Sequence, residues 1–281
     1  MKVEKVIYPD GSFYPKVTDW TYDRNDEPAV QNLVMNINSY NDLWYLNQIK
    51  DVCNHNQMKV RLSIPCLLDA QADRRFNNSE SANLKLVCKF INSLGFESVR
   101  IFHPHNAEVV ENMIDNCHIV HNGNYIAHVL NKIYPGFIPL NNDVKKEVEK
   151  NTILMSTDAG GYKALGKVAD HLKWEGEIFS ASKSRKWDGE KSILTQQIDR
   201  EDFGGKDVLI IDDLCVYGGT FVGLANLLQG KNCGNLYLAV SHMTVATPSK
   251  QLENSFHTVF STRSKGIEYD LNNLELLPSP L

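Results

Sequence analysis

Short apolar runs alternate with amphipathic stretches along most of the chain. Lys59–Leu68 (KVRLSIPCLL) is rich in Val, Leu and Ile and gives way to the polar Asp69–Ser79, which reads as a strand followed by a loop. Glu80–Leu94 then places Leu84, Val87, Cys88 and Ile91 at helical spacing, with Gly95 as the natural stop. Ser98–Phe102 (SVRIF) is the next strand. Tyr134–Asp143, rich in Pro, Gly and Asn, reads as a linker, after which a second series begins. It runs through a strand at Thr152–Met155, a Gly-rich turn, a helix from about Tyr162 to Leu172 and a strand at Glu177–Ala181. A long polar loop leads on to a strand at Asp207–Ile211, a helix over Phe221–Leu228 and a strand at Asn235–Ser241. Such alternation predicts an α/β fold of mainly parallel sheets flanked by helices. Two series predict two lobes, residues 1–135 and 136–281.

The 281 residues suit either one large domain or two medium ones. With 42% hydrophobic residues, 17 Gly and 10 Pro, the composition excludes a disordered chain, a collagen and a small disulfide scaffold. A net charge of −5 argues against nucleic acid as the main partner, while leaving room for a local basic pocket. Met1–Asp10 alternates charge and apolarity, unlike a secretory leader, and no apolar run approaches a membrane span. The six cysteines (53, 66, 88, 117, 215, 233) are scattered without a C-x-x-C pair. Reduced, mostly buried thiols in a cytoplasmic protein are expected, rather than zinc or disulfides.

The strongest chemical signal is Val208–Thr220, VLIIDDLCVYGGT. An apolar strand ends in Asp212 and Asp213, and a Gly-containing loop (Val216, Tyr217, Gly218, Gly219) delivers Thr220 at a helix start. Ligands in open α/β sheets sit beyond the carboxyl ends of the strands, where loop amides and a helix N-terminus favour phosphate. Carboxylates beside them accept hydrogen bonds from a vicinal diol. The pattern suits a ribose phosphate. Taken alone, two aspartates before a tight turn read as an ordinary solvated strand end.

This segment resembles the phosphoribosyl-pyrophosphate-binding motif of type I phosphoribosyltransferases and of ribose-phosphate pyrophosphokinases. Ser156–Gly161 (STDAGG) is similar to the pyrophosphokinase S-P-D-x-G-G pyrophosphate loop, with Asp158, Ala159, Gly160 and Gly161 as its binding residues. Lys183-Ser184-Arg185 falls where that family has its K-x-R catalytic loop. Phe102–His105 resembles the family's strand ending in D-L-H, Pro65–Arg74 its P-Y-x-x-Y-A-R-Q-D-R, Tyr8–Ser12 its F-S-D-G-E, and Asn41-Asp42 its N-D. Matches in order from Tyr8 to Arg263 favour the pyrophosphokinases over simple phosphoribosyltransferases, which would match the last lobe alone.

The resemblance implies transfer of the β,γ-pyrophosphoryl group of ATP, with Mg²⁺, to the 1-hydroxyl of ribose 5-phosphate. It implies Lys183 and Arg185 as clamps on the transferring group, and Tyr8, Asp10, Gln71, Asp73, Arg74, Arg75 and His105 on the ATP side. His105 and Asp158 become the metal candidates, although Mg²⁺ prefers oxygen and contact of His105 through a phosphate or water is equally open. Without the resemblance, Lys183, Arg185 and Lys186 read as a solvated charge cluster, and Asp158–Gly161 as a Gly-rich left-handed turn. The family also implies a homo-oligomer, with neither a membrane nor a nucleic-acid partner.

Several positions depart from the family. Gln71-Ala72 replaces an Arg-Gln pair, Ser12 replaces an acidic residue, Tyr8 replaces Phe, and Val216-Tyr217 replaces Asp-Thr in the 5-phosphate loop. Against the family the chain is also short at both ends. Opening of the 5-phosphate loop suggests a second acceptor, a larger 5-substituted ribose such as ADP-ribose. A phosphoribosyltransferase and a non-catalytic regulatory subunit are the remaining readings.

Overall fold

The computed structural model describes residues 1–22, 29–75, 77–138, 142–187 and 192–281, with backbone alone for 184–187 and 192–195. Within it the chain divides into two units, Met1–His121 with Pro280–Leu281, and Asn122–Ser279.

The first unit opens with an antiparallel hairpin, β1 (Lys2–Ile7) and β2 (Phe13–Thr18), whose turn uses Gly11 at φ 84°. The hairpin packs on α1 (Tyr40–His55): Phe13 meets Tyr45 edge-on at 5.9 Å, and Gln48 Nε2 donates to the Phe13 carbonyl at 2.9 Å. Asp42, part of the N-D match, caps this helix, its Oδ2 accepting the Ser39 N–H at 2.9 Å. A parallel sheet follows in the order β3 (Gln31–Val34), β4 (Val60–Ile64), β5 (Ser98–Phe102), β6 (Cys117–Val120). The helices α2 (Asn83–Ser93) and α3 (Ala107–Met113) join its later strands. The strand expected over Lys59–Leu68 stops at Ile64, because Pro65 has no N–H to continue a ladder. Leu46, Ile49, Leu62, Ile64, Leu84, Ile91 and Ile101 are wholly buried in the core, each stabilising the fold by about 1.5–3 kcal/mol.

The second unit begins with α4 (Gly123–Ile133). This is why the division falls before Asn122 and not in Tyr134–Asp143: α4 packs on α6 (Ala159–Leu172) and on the sheet strand Leu236–Met243. Residues 139–141 of the expected linker lie outside the described residues. Helix α5 (Asn142–Asn151) leads into β7 (Thr152–Ser156), after which α6 crosses to β8 (Glu177–Ser180). A second hairpin, β9 (Ser182–Trp187) and β10 (Ser192–Gln197), precedes β11 (Asp207–Cys215). Helix α7 (Gly219–Leu228), β12 (Leu236–Met243), α8 (Gln251–Ser255), β13 (Thr258–Thr262) and β14 (Leu274–Leu277) complete the unit.

The large sheet is wholly parallel, in the order β14-β13-β12-β11-β7-β8. From β7 the chain moves outward to β8; from β11 it moves the opposite way. The topological switch point, where open α/β sheets bind ligands, therefore lies between the carboxyl ends of β7 and β11. Both strands run through the middle of the sheet and read as near-continuous apolar segments, as the centre of a doubly covered parallel sheet requires.

Candidate functional site

Asp158 is the N-cap of α6, its Oδ1 accepting the Gly161 N–H at 2.9 Å. Ala159, Gly160 and Gly161 form the first helical turn, so the left-handed glycine turn is not what forms here. The helix starts at Ala159, three residues before the sequence periodicity suggests, because the cap rather than the apolar face sets its start. Ser156 Oγ donates to the Asp158 carbonyl at 3.0 Å and fixes the strand-to-helix bend.

Asp212 and Asp213 do not end their strand. β11 continues to Cys215, paired with β12 as far as Met243. The acids thus lie within a strand, Asp212 paired with Val240, rather than in a loop. Asp212 Oδ1 accepts the Asp213 N–H at 2.9 Å and its Oδ2 accepts the Thr157 hydroxyl at 2.9 Å. Thr157, which sequence reasoning did not single out, ties the β7 end to the acid pair across the switch point. Burial first, and the Asp213 charge second, push the Asp212 carboxyl up to about 7.

Beyond Cys215, Val216 and Tyr217 turn outward, Tyr217 being 65% exposed. Gly218 caps α7 at φ 90°, a conformation that favours glycine. The N–H groups of Gly219 and Thr220 open the helix and have no carbonyl within it to bond. Two helix N-termini, of α6 and α7, thus follow the two strands that flank the switch point, with the acids on one of those strands.

Lys183 and Arg185 lie on β9, where a polar loop was expected. Lys183 stands opposite Gln196 and Arg185 opposite Leu194 in the antiparallel register. The missed signal was the turn-favouring Asp188-Gly189 pair in the sequence between the two runs.

The ATP-side candidates belong to the first unit. Tyr8 and Asp10 occupy the β1–β2 turn, where Tyr8 lies 5.6 Å from the Tyr14 ring. The Ser12 hydroxyl and N–H both donate to Asp10 Oδ1 (2.7 and 3.0 Å), holding that carboxyl below the usual range. Gln71, Asp73, Arg74 and Arg75 follow β4, with both arginines exposed, and His105 follows β5. Asn106 Nδ2 donates to Asp73 Oδ2 at 3.2 Å, which joins the two loops and brings Asp73 beside the residue after His105.

A family model for the phosphoribosyl transferase domain matches residues 140–273. The ribose-phosphate pyrophosphokinase of Saccharolobus solfataricus is 23% identical over 259 residues, 89% of this chain and 79% of that protein. That of Sulfurisphaera tokodaii is 24% identical over 267 residues, 95% of this chain and 83% of the relative. Among solved structures, the phosphoribosylpyrophosphate synthetase from Mycobacterium smegmatis is similar with a TM-score of 0.76, covering 99% of this chain and 86% of that one at 15% identity. The chain is similar to ribose-phosphate pyrophosphokinases over most of its length.

The two α/β units agree with the fold expected for a ribose-phosphate pyrophosphokinase. Among the described residues no three His, Cys, Asp or Glu side chains gather into a cation site. Asp158 nevertheless fits Mg²⁺: Oδ1 caps the helix, Oδ2 is the oxygen left to offer, and Mg²⁺ is usually held by one or two carboxylates together with substrate phosphates and water. The imidazole of His105 fits Mg²⁺ poorly as a direct ligand, since Mg²⁺ selects oxygen. None of the six cysteines, all of them described residues, is in a disulfide, and four are buried. No helix among the described residues is long and apolar enough to cross a membrane.

Proposed function

We propose that the chain is a transferase that moves the β,γ-diphosphoryl group of ATP onto the 1-hydroxyl of ribose 5-phosphate, giving a 1-diphosphate sugar and AMP. The observation that carries this reading is the Asp212–Asp213 pair on β11, tied through Thr157 to β7, with an open helix N-terminus after each strand. An acceptor with a vicinal diol and a terminal phosphate matches the acids and the α7 turn. A transferring diphosphoryl group matches the α6 turn.

In this reading Gly218, Gly219 and Thr220 hold the 5-phosphate, and Asp212 and Asp213 accept the ribose hydroxyls. The 1-hydroxyl oxygen attacks the β-phosphorus, the β-phosphorus–oxygen bond to the α-phosphate breaks, AMP leaves and the hydroxyl proton is lost. Lys183 and Arg185 neutralise charge on the group in flight, and the loops carrying Asp73, Arg74, Arg75 and His105 serve ATP. Mg²⁺, when bound, would neutralise phosphate charge beside Asp158. The test is direct: AMP and sugar 1-diphosphate should accumulate one for one from ATP, Mg²⁺ and ribose 5-phosphate. Diphosphate release that depends on an added base and sugar 1-diphosphate would favour a phosphoribosyltransferase. Nucleotide binding without turnover would favour a regulatory subunit.

The exposed Tyr217 ring supports a second acceptor, because a flat face at the phosphate end suits a larger 5-substituent. Rapid turnover of ribose 5-phosphate beside none of ADP-ribose removes that version. Nothing in the names of the relatives above favours it.

The raised Asp212 carboxyl sets a pH dependence. Its folded value lies above the unfolded one, so the protonated acid stabilises the free protein at low pH and this contribution is lost as pH rises through about 7. Ribose hydroxyls prefer the carboxylate, so the sign for binding is opposite. Affinity for ribose 5-phosphate should rise with pH through this range, by up to about tenfold per unit below the folded value. Calorimetry in buffers of differing ionisation heat should register proton release, and Asp212→Asn should remove it.

A further inference from the structure

The β9–β10 hairpin is rooted at both ends. Ala181, just before β9, and Ile198, just after β10, are buried in the hydrophobic core of the second unit. Two residues before Ile198, the side chain of Gln196 reaches from β10 to α7: its Nε2 donates to the Thr220 carbonyl at 3.1 Å. β10 packs on α7 at this point, and Gly223 makes the approach possible, since a Cβ there would collide with Gln196 Oε1. Gln196 is also the register partner of Lys183. Directly opposed residues of an antiparallel pair project to the same side of the ribbon. The strand position that carries Lys183 is therefore fastened, through one amide, to the first turn of the helix whose N-terminus is read as the 5-phosphate cradle.

We propose that Gln196 is a positioning residue that couples occupancy of the Tyr217–Thr220 turn to the placement of Lys183. A phosphate gripped by the N–H groups of Gly219 and Thr220 orders the first turn of α7. The Thr220 carbonyl belongs to that turn, and through it the root of the hairpin is ordered too. Binding of the acceptor thereby prepares the arm that stabilises transfer before ATP is committed, which disfavours transfer to water. This rests on the sugar-phosphate reading of the α7 turn.

The test is hydrogen exchange of residues 182–187 and 192–197, and of the first turn of α7, with and without ribose 5-phosphate. It is run on the whole chain and on Gln196→Glu and Gly223→Ala. Gln196→Glu keeps the side-chain shape but replaces the donor by an acceptor, and Gly223→Ala blocks the approach from the helix side. The expected result is that ribose 5-phosphate protects both regions in the natural sequence, but only the α7 turn in the two variants. For Gln196→Glu, kcat should fall about three- to tenfold with KM for ribose 5-phosphate changed less than about twofold. A merely structural role would instead lower stability and leave the exchange coupling intact. Protection of the α7 turn alone in the natural sequence, or hairpin protection that persists in both variants, overturns the coupling while leaving the sugar site standing. Protection of neither region overturns the sugar site and the coupling with it.

Discussion

Replacing Lys183 with alanine should lower AMP formation by about a thousandfold or more while the protein stays folded, the range expected when a cation that neutralises a transferring phosphoryl group is lost. The fold should be spared because Lys183 is outside the core. The hairpin is held at its root by Ala181 and Ile198, and by Ser182 Oγ donating to the Gln197 carbonyl at 3.3 Å. Substitutions at such positions usually change stability by less than about 0.5 kcal/mol. Thermal denaturation coincident with the natural protein, alongside a collapsed kcat, is the expected pair of results. Lys183→Arg keeps the charge and should recover part of the rate. A folded and fully active alanine variant would remove Lys183, and the hairpin with it, from the chemistry.

Gly218→Ala should have the largest effect on acceptor binding. The backbone there has φ 90°, and a Cβ would stand 2.7 Å from Leu252 Cδ1, whose side chain is wholly buried beneath the turn. The left-handed strain and the overpacking together should cost about 1–3 kcal/mol. The loop can relieve them only by moving, which carries the Gly219 and Thr220 N–H groups away from the position a phosphate needs. KM for ribose 5-phosphate should rise at least about tenfold, with KM for ATP much less affected, because misplacing a cradle by a fraction of an ångström is enough to lose oriented hydrogen bonds. Gly219→Ala is the control. Its φ is not positive and a Cβ there meets nothing within 4 Å, so that variant should bind nearly normally. Equal binding by the two variants would show that the α7 turn does not hold the acceptor.

The parts legible in the sequence were those where one physical signal dominated. Ser98–Phe102 and the start of β7 were bounded correctly because apolar, β-branched runs flanked by turn residues have few alternatives in a covered parallel sheet. The acid pair and the glycines after it stand out in the sequence because carboxylates for a diol and backbone amides for a phosphate make sense only together. What escaped depended on contacts distant in sequence. Thr157 looks like any hydroxyl residue after a strand until Asp212, 55 positions later, is seen to accept its hydrogen bond. The sequences of β9 and β10 show no apolar alternation, so no period marks them, and their strand character comes from pairing with each other. Gln196 is unreadable for the same reason, since its significance lies in a carbonyl of α7. The unit boundary was displaced because turn-rich composition marks where a chain can bend, whereas the side on which α4 packs is decided by apolar faces elsewhere.

The cysteine thiols give the two units separate clocks. Cys53, Cys66, Cys88 and Cys117 lie in the first unit, and Cys215 and Cys233 in the second. Burial raises the thiols of Cys88 and Cys117 to about 11 and that of Cys215 to about 12, so in the closed structure these three hold almost no thiolate near neutral pH. Alkylation at the buried Cys88 and Cys215 then proceeds through opening of the surrounding core, and the mass added at each records how often its half of the chain opens. An acceptor that steadies only the second unit would slow the Cys215 clock and leave the Cys88 clock running.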